Sequence, residues 1–149
     1  MVYSIKKASL EDLDETAALF DLYRVFYRQE SDIERGKTFL KERFLNSESD
    51  IFLVIMDGKA VGFVQLYKLF HYTKLEKQWL LSDLFVHPDH RGKGLSVALI
   101  ERSKDWARET GSCGLMLETE KTNAIGNSLY PRCDFEYDGL HNYYHWWAK

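Results

Sequence analysis

The sequence predicts an α/β or α+β fold built on one mixed sheet, and three observations carry that expectation. Residues 51–56 and 60–69 are β-rich runs joined through Asp57-Gly58, a strong tight-turn pair, so they should be antiparallel neighbours. Between Lys77 and Thr119 a strand-like, a helix-like and a second strand-like segment follow one another, which calls for a parallel pair with a right-handed crossover. Before Phe44, apolar residues recur at helical spacing in two separate blocks.

Taken in order, residues 2–7 alternate loosely and read as an edge strand. Ser9 and Asp12 imitate a capping box ahead of Leu13, Ala17, Phe20 and Tyr27, which mark the first helix. Ser31 with Glu34 forms a better capping box, opening a second helix through Ile33, Leu40 and Phe44 and leaving Arg28-Gln29-Glu30 as the connecting loop. The hairpin follows, then a loop at 70–74 and a strand at 77–86. Val97, Ile100, Lys104 and Ala107 share one helix face, and Gly111 stops that helix. A short strand at 115–119 precedes a helix capped by Asn123 and running through Leu129. Residues 135–138 and 142–147, separated by Gly139, read as two closing strands.

Composition sets the outer limits. A chain of 149 residues suits one domain with a proper core, and shares of 45% apolar and 29% charged residues are those of a globular protein. The net charge of −3 gives no global argument for nucleic acid or an anionic membrane, and no apolar run nears the ~20 residues of a membrane span. The N-terminus lacks the basic-then-apolar order of a signal peptide. Cys113 and Cys133 form no CxxC pair, which fits a reduced, cytoplasmic chain. His87 and His90 lie three apart across a Pro88-Asp89 turn without other clustered ligands, so no metal site is expected.

The chemistry concentrates between Leu80 and Leu99, LLSDLFVHPDHRGKGLSVAL. A strand leads to the turn His87-Pro88-Asp89-His90, then to Arg91-Gly92-Lys93-Gly94, then to a helix from Leu95. A helix start gathers unpaired N–H groups and partial positive charge. Arg91 and Lys93 add full charges, and Gly92 and Gly94 allow close approach to the backbone. The stretch reads as a phosphate cradle; a solvated basic loop is the plainer alternative.

These residues resemble the GNAT superfamily of acetyl-CoA-dependent N-acetyltransferases. Its cofactor signature is Arg or Gln, two residues, Gly, one residue, then Gly or Ala; Arg91, Gly94 and Ser96 occupy those places, with Ser a departure. Its downstream pattern is matched by Asn123, Gly126, Leu129, Tyr130 and Phe135, with Asp134 where Gly is usual. The resemblance implies a single domain over 1–149, with a mixed, mostly antiparallel central sheet, a splayed parallel strand pair and flanking helices. It also implies acetyl-CoA as co-substrate. Leu84, Phe85 and Val86 would meet the pantetheine arm through their backbone, and an N–H there would polarise the thioester carbonyl. Arg91, Gly92, Lys93, Gly94, Leu95 and Ser96 would hold the pyrophosphate, and Asn123 and Gly126 would contact the cofactor. Tyr130 would contact it too and protonate the departing thiolate. Pro131 biases Tyr130 away from helical geometry, so the helix is expected to end there.

The expected reaction is acetyl transfer to a primary amine by direct attack, since neither cysteine has an evident activating base. A lysine-like amine must lose a proton, at a cost of about 4.6 kcal/mol at pH 7, before it attacks. Asp83 is the first candidate acceptor of that proton, with a structurally satisfied polar residue as its other reading; Glu118 and Glu120 come second. Diamine acetyltransferases carry a carboxylate where Ser82 stands, which weakens a polyamine assignment. Tyr67, His71 and Tyr72 could line an acceptor pocket or belong to a surface loop and strand. The resemblance puts Glu30, Asp32 and Glu34 at the helix junction that borders the acceptor side in relatives, which tilts the expected acceptor towards a small cationic amine; a protein amine, or a non-catalytic acyl-CoA-binding module, are the alternatives. Tyr143, Tyr144, Trp146 and Trp147 fit a core or a homodimer interface better than a ligand cage.

Overall fold

The structure, a computed structural model, describes residues 1–148. Two compact units divide the chain, one comprising Met1–Glu118 and the other starting at Thr119.

The first unit is a five-stranded sheet in the order β1-β2-β3-β4-β5: β1 Ser4–Lys7, β2 Ser49–Met56, β3 Lys59–His71, β4 Glu76–Val86 and β5 Leu115–Met116. The first three pairings are antiparallel and β4–β5 is parallel. The expected mixed, mostly antiparallel sheet is therefore present. The β2–β3 turn places Asp57 and Gly58 at φ 50° and 75°, the left-handed pair that a two-residue hairpin requires. β4 and β5 pair only at Trp79↔Leu115 and Leu80↔Met116, so the two strands splay beyond that point.

Helices α1 (Leu13–Phe26) and α2 (Ile33–Leu45) cover one face. Ala17, Phe20 and Leu40 bury there against Ile51, Leu53, Phe63 and Phe85. Helix α3 (Leu95–Glu109) takes the other face, where Trp106 meets the ring of Phe52 at 5.5 Å. Alternation along β2 explains the division: odd residues 51 and 53 face α1 and α2, even residue 52 faces α3. Burying each large core side chain contributes about 1.5–3 kcal/mol.

Three local expectations change in the first unit, the first being that β3 runs on through His71, two residues into the loop expected at 70–74. Asp32, not Ser31, caps α2, its carboxylate accepting from the Arg35 N–H at 3.1 Å. Ser31 donates instead to Asp21 at 2.6 Å, and Asp21 also accepts from the Asp32 N–H at 2.7 Å. Buried Asp21 therefore fastens the α1–α2 junction, which a single cap could not do. Strand β5 is also shorter than the 115–119 run suggests, because the chain leaves β4 after Met116.

The second unit holds α4 (Ala124–Arg132). Asn123 caps it, accepting from the Gly126 N–H at 3.1 Å. The helix does not end at Tyr130: Pro131 sits inside its last turn. The tolerated position follows from the cap beyond it. The Tyr130 carbonyl accepts from Cys133 and Phe135 N–H groups, both at 3.0 Å, while Asp134 turns left-handed at φ 63°. Asp134 thus supplies the backbone conformation for which glycine is usual. The two closing strands expected at 135–138 and 142–147 do not form; those residues enter no ladder, and every residue from 136 to 148 is exposed.

Candidate active site

The cradle is built from backbone. Gly92 and Gly94 lie at φ 74° and 75°, so the loop turns left-handed on both sides of Lys93. Gly94 is the N-cap of α3 and gives it no side-chain cap; the first turn of the helix carries no acidic residue. The first helical bond runs from Ala98 N–H to the Gly94 carbonyl at 3.1 Å, which leaves the amides of Leu95, Ser96 and Val97 as the unpaired helix start. A β-carbon placed on Gly92 or Gly94 would meet no non-neighbouring atom within 4 Å among the described residues. Open space, the unpaired N–H groups of the helix start and positive charge fit a pyrophosphate. Leu95 itself is buried, so only its amide faces the loop.

Arg91 has a second duty. Its Nε donates to the Val86 carbonyl at 3.0 Å, and its guanidinium lies 5.5 Å from the Phe85 ring centroid and 5.7 Å from that of Phe26. The loop is thereby tied to the end of β4 and to α1.

β4 reaches the loop through a register shift. Gln65 opposes Asp83, but Leu66 opposes Leu81, leaving Ser82 as the extra residue of a bulge. Upstream, the Trp79 N–H points to β5, donating to Gly114 at 3.1 Å; downstream, the His87 N–H points the other way, to Val61 at 2.8 Å. The bulge has reversed which residues face which neighbour. Leu84 and Val86 therefore turn their backbone toward the splay, while Phe85, predicted for the same contact, directs its backbone to β3 and its ring to the α1 core. Gly62 permits this approach, since a β-carbon there would stand 2.8 Å from the Phe85 carbonyl oxygen.

Asp83 follows the bulge and is only 8% exposed. It accepts from Gln65 Nε2 at 2.6 Å, and Gln65 in turn accepts from Ser49 at 2.8 Å. Burial pushes its carboxyl above the ordinary value of 3.8, against hydrogen bonds from Gln65, Tyr23 and Ser82 that pull it down. Burial first, then the Asp83 charge, push the Tyr67 phenol up to about 12. Tyr67 thus belongs with Asp83, whereas Tyr72 is exposed in the β3–β4 turn and Glu118 and Glu120 are exposed.

The sequence reading missed Gln65, Ser49, Tyr23 and the bulge at Ser82. One signal was available: a lone glutamine inside the apolar run Ala60–Leu69 must be hydrogen-bonded if buried. In the second unit, Asn123 Oδ1 accepts from the Gly126 N–H and its Nδ2 donates to Thr119 at 2.9 Å. Asn127, also unremarked, ties its Nδ2 to the carbonyls of Glu120, Lys121 and Asn123 at 3.0, 3.3 and 2.9 Å. A β-carbon on Gly126 would stand 2.6 Å from Asn123 Nδ2 and 3.3 Å from the Tyr130 ring, so glycine lets both pack there. Tyr130 meets Phe135 edge-on at 5.8 Å.

Residues 16–135 match the family described as Acetyltransferase (GNAT) family. The chain belongs to that family. A Bacillus subtilis protein named as the uncharacterized N-acetyltransferase YhfO is 39% identical over 135 residues, 91% of each chain. Streptothricin acetyltransferase A of the same organism is 31% identical over 125 residues, covering 74% of this chain and 72% of that one. Among solved structures, a crystal structure of a probable acetyltransferase superposes with a TM-score of 0.92 at 32% identity, covering 98% of both chains. This GNAT chain has no helix long and apolar enough to cross a membrane among its described residues.

Proposed function

We propose that the protein transfers acetyl from acetyl-CoA to the primary amine of a small cationic molecule by direct attack. The observation that carries this reading is the cradle: two left-handed glycines with open space beside them, the uncapped start of α3, and Arg91 and Lys93 in the same loop. Bound acetyl-CoA would supply the acetyl group as an activated thioester. Gly92, Lys93, Gly94 and the amides of Leu95 and Ser96 hold the pyrophosphate, and Arg91 braces the loop while adding charge. The backbone of Leu84 and Val86 hydrogen-bonds the pantetheine arm, and one amide polarises the thioester carbonyl.

Asp83 is the proton acceptor in this scheme, reached through water from the incoming ammonium. Its raised carboxyl is a stronger base than an ordinary aspartate, which suits the task. Tyr130 gives a proton to the departing thiolate. A phenol near pKa 10 donating to a thiolate whose conjugate acid sits near 8.5 is uphill by about 2 kcal/mol, within reach as charge develops. Asn123 and Gly126 act by shaping the turn that carries Tyr130. The relatives named for streptothricin support a small acceptor over a protein amine. Asp21 secures the junction bearing Glu30, Asp32 and Glu34, whose charge favours a cation. We place the reaction in the cytoplasm, where the free, exposed Cys113 stays reduced.

The test is release of free CoA thiol across a panel of aminoglycosides, streptothricin-like compounds, polyamines, amino acids and peptides. Turnover restricted to small cationic amines is the expected result. Tight acetyl-CoA binding with no thiol release on any amine would instead indicate a non-catalytic acyl-CoA-binding module.

A further inference from the structure

At the end of the sheet remote from the cradle, the first unit holds a cavity of about 480 Å³, and every residue lining it belongs to that unit. Lys7 closes β1, Asp50 lies at the start of β2, Phe70 near the end of β3, and Lys77 and Trp79 near the start of β4. Trp106 and Thr110 bring in the last turn of α3 and its C-cap. The strand from Trp79 to Val86 and the length of α3 both lie between this cavity and the loop, a separation of roughly 20 Å. The volume is in the range of small-molecule sites. Acetyl transfer makes no use of it.

The wall is aromatic. The Trp79 and Trp106 rings lie 6.2 Å apart at 45°. Trp79 is buried and anchored: its Nε1 donates to Thr110 Oγ1 at 2.8 Å, which donates in turn to the Trp106 carbonyl at 2.7 Å. Trp106 Nε1, by contrast, is buried with no hydrogen-bond partner among the described residues, so the wall holds a donor still to be satisfied. Phe70 adds a ring that is 73% exposed. Rings gathered at a cavity favour a flat apolar ligand, which stacks on them and displaces water.

The same cavity is cationic. Lys7, Lys68 and Lys77 line it, and Asp50 is the one carboxylate among the lining residues. Asp50 is already matched, with Lys7 Nζ 3.0 Å from it and 4.6 Å from the Trp106 ring centroid. Lys68 Nζ donates to the Ser47 carbonyl at 3.3 Å, a neutral partner, and Lys77 makes no ion pair among the described residues. Two positive charges are left without a counter-charge.

We propose that this cavity binds a small planar aromatic anion, one or two fused rings bearing a carboxylate. The aromatic wall takes the rings, and Lys68 and Lys77 take the carboxylate. That charge complementarity turns away the cationic amines assigned to the transfer site.

Calorimetric titration of the full chain with 2-naphthoate tests the proposal. A dissociation constant below about 1 mM is expected for a ligand of this size, and no binding at that concentration overturns the proposal. 2-Naphthylmethylamine presents the same rings with the opposite charge and should bind at least about tenfold more weakly; equal binding overturns it. Lys68→Glu with Lys77→Glu changes only exposed side chains, so the circular dichroism spectrum should be unchanged. Naphthoate affinity should fall at least about tenfold in that variant and about threefold in Phe70→Ser. An affinity that ignores both substitutions overturns the proposal. Arg91→Glu with Lys93→Glu separates the two anion sites: naphthoate affinity should stay within about twofold, and its loss there would place the probe in the cradle and overturn the proposal. Binding heat is read without any acetyl transfer, so this result stands apart from the proposed reaction.

Discussion

The stretch from β4 to α3 and the stretch after Asp134 are both rich in sequence signals, and they behave in opposite ways. From Glu76 to Glu109 each signal is consumed within the chain: the strand is paired, the glycines turn, the helix starts where the loop ends. After Asp134 a comparably strong β pattern forms no strand and leaves its aromatic rings in solvent. The difference teaches that β pattern is a statement about a partner. A helix start completes itself locally, whereas a strand is realised only when an edge meets it.

The comparison can be strained at several points. Reversing both charges, Arg91→Glu with Lys93→Glu, should weaken acetyl-CoA binding about a thousandfold by calorimetry, since two charge-assisted contacts become repulsive. The aromatic pair Trp146→Glu with Trp147→Glu should leave that affinity within about twofold. If the two variants weaken binding equally, the regions are not independent.

Asp83→Asn should lower kcat about a hundredfold while acetyl-CoA affinity holds, the loss expected of a general base. In the parent protein kcat/KM should climb as Asp83 deprotonates with rising pH, and this limb should vanish in the variant. Stability should move the other way. Because the folded state holds the Asp83 carboxyl above its unfolded value, folding favours the protonated form. The contribution is fully present below pH 3.8 and is lost as pH rises through the folded value. Urea titrations from pH 4 upward should therefore show a decline that Asp83→Asn flattens.

Tyr130→Phe should reduce kcat about tenfold with unchanged acetyl-CoA affinity; wild-type turnover at every pH would remove its acid role. Smallest is Gly92→Ala, which should cost about 1 kcal/mol of stability in thermal unfolding, because the residue sits at φ 74° in open space and strain is the sole penalty.

The hairpin at Asp57-Gly58, the parallel crossover and the cradle were legible in the sequence because each is specified by neighbouring residues. Asp134 in its left-handed place was legible for the same reason. The bulge at Ser82 was not, since nothing in LLSDLF distinguishes one extra residue from regular alternation; its effect exists only against β3. The Ser49–Gln65–Asp83 chain spans three strands, and separation in sequence hid it even though each residue was in view. Pro131 misled for a related reason. Its local preference was read correctly and then outweighed by two amides returning to the Tyr130 carbonyl.

Ser82 works as a phase shifter. A strand is a two-state alternation, and one inserted residue exchanges inside for outside along everything that follows. Upstream of it β4 lends its outer backbone to β5; downstream the same side of the ribbon is presented by the other parity of residues, Leu84 and Val86. Were Ser82 instead paired in a regular ladder, Asp83 would turn toward α3 and the Phe85 ring would leave the α1 core. The length of this strand, counted in residues, is therefore as much a part of the site as any side chain within it.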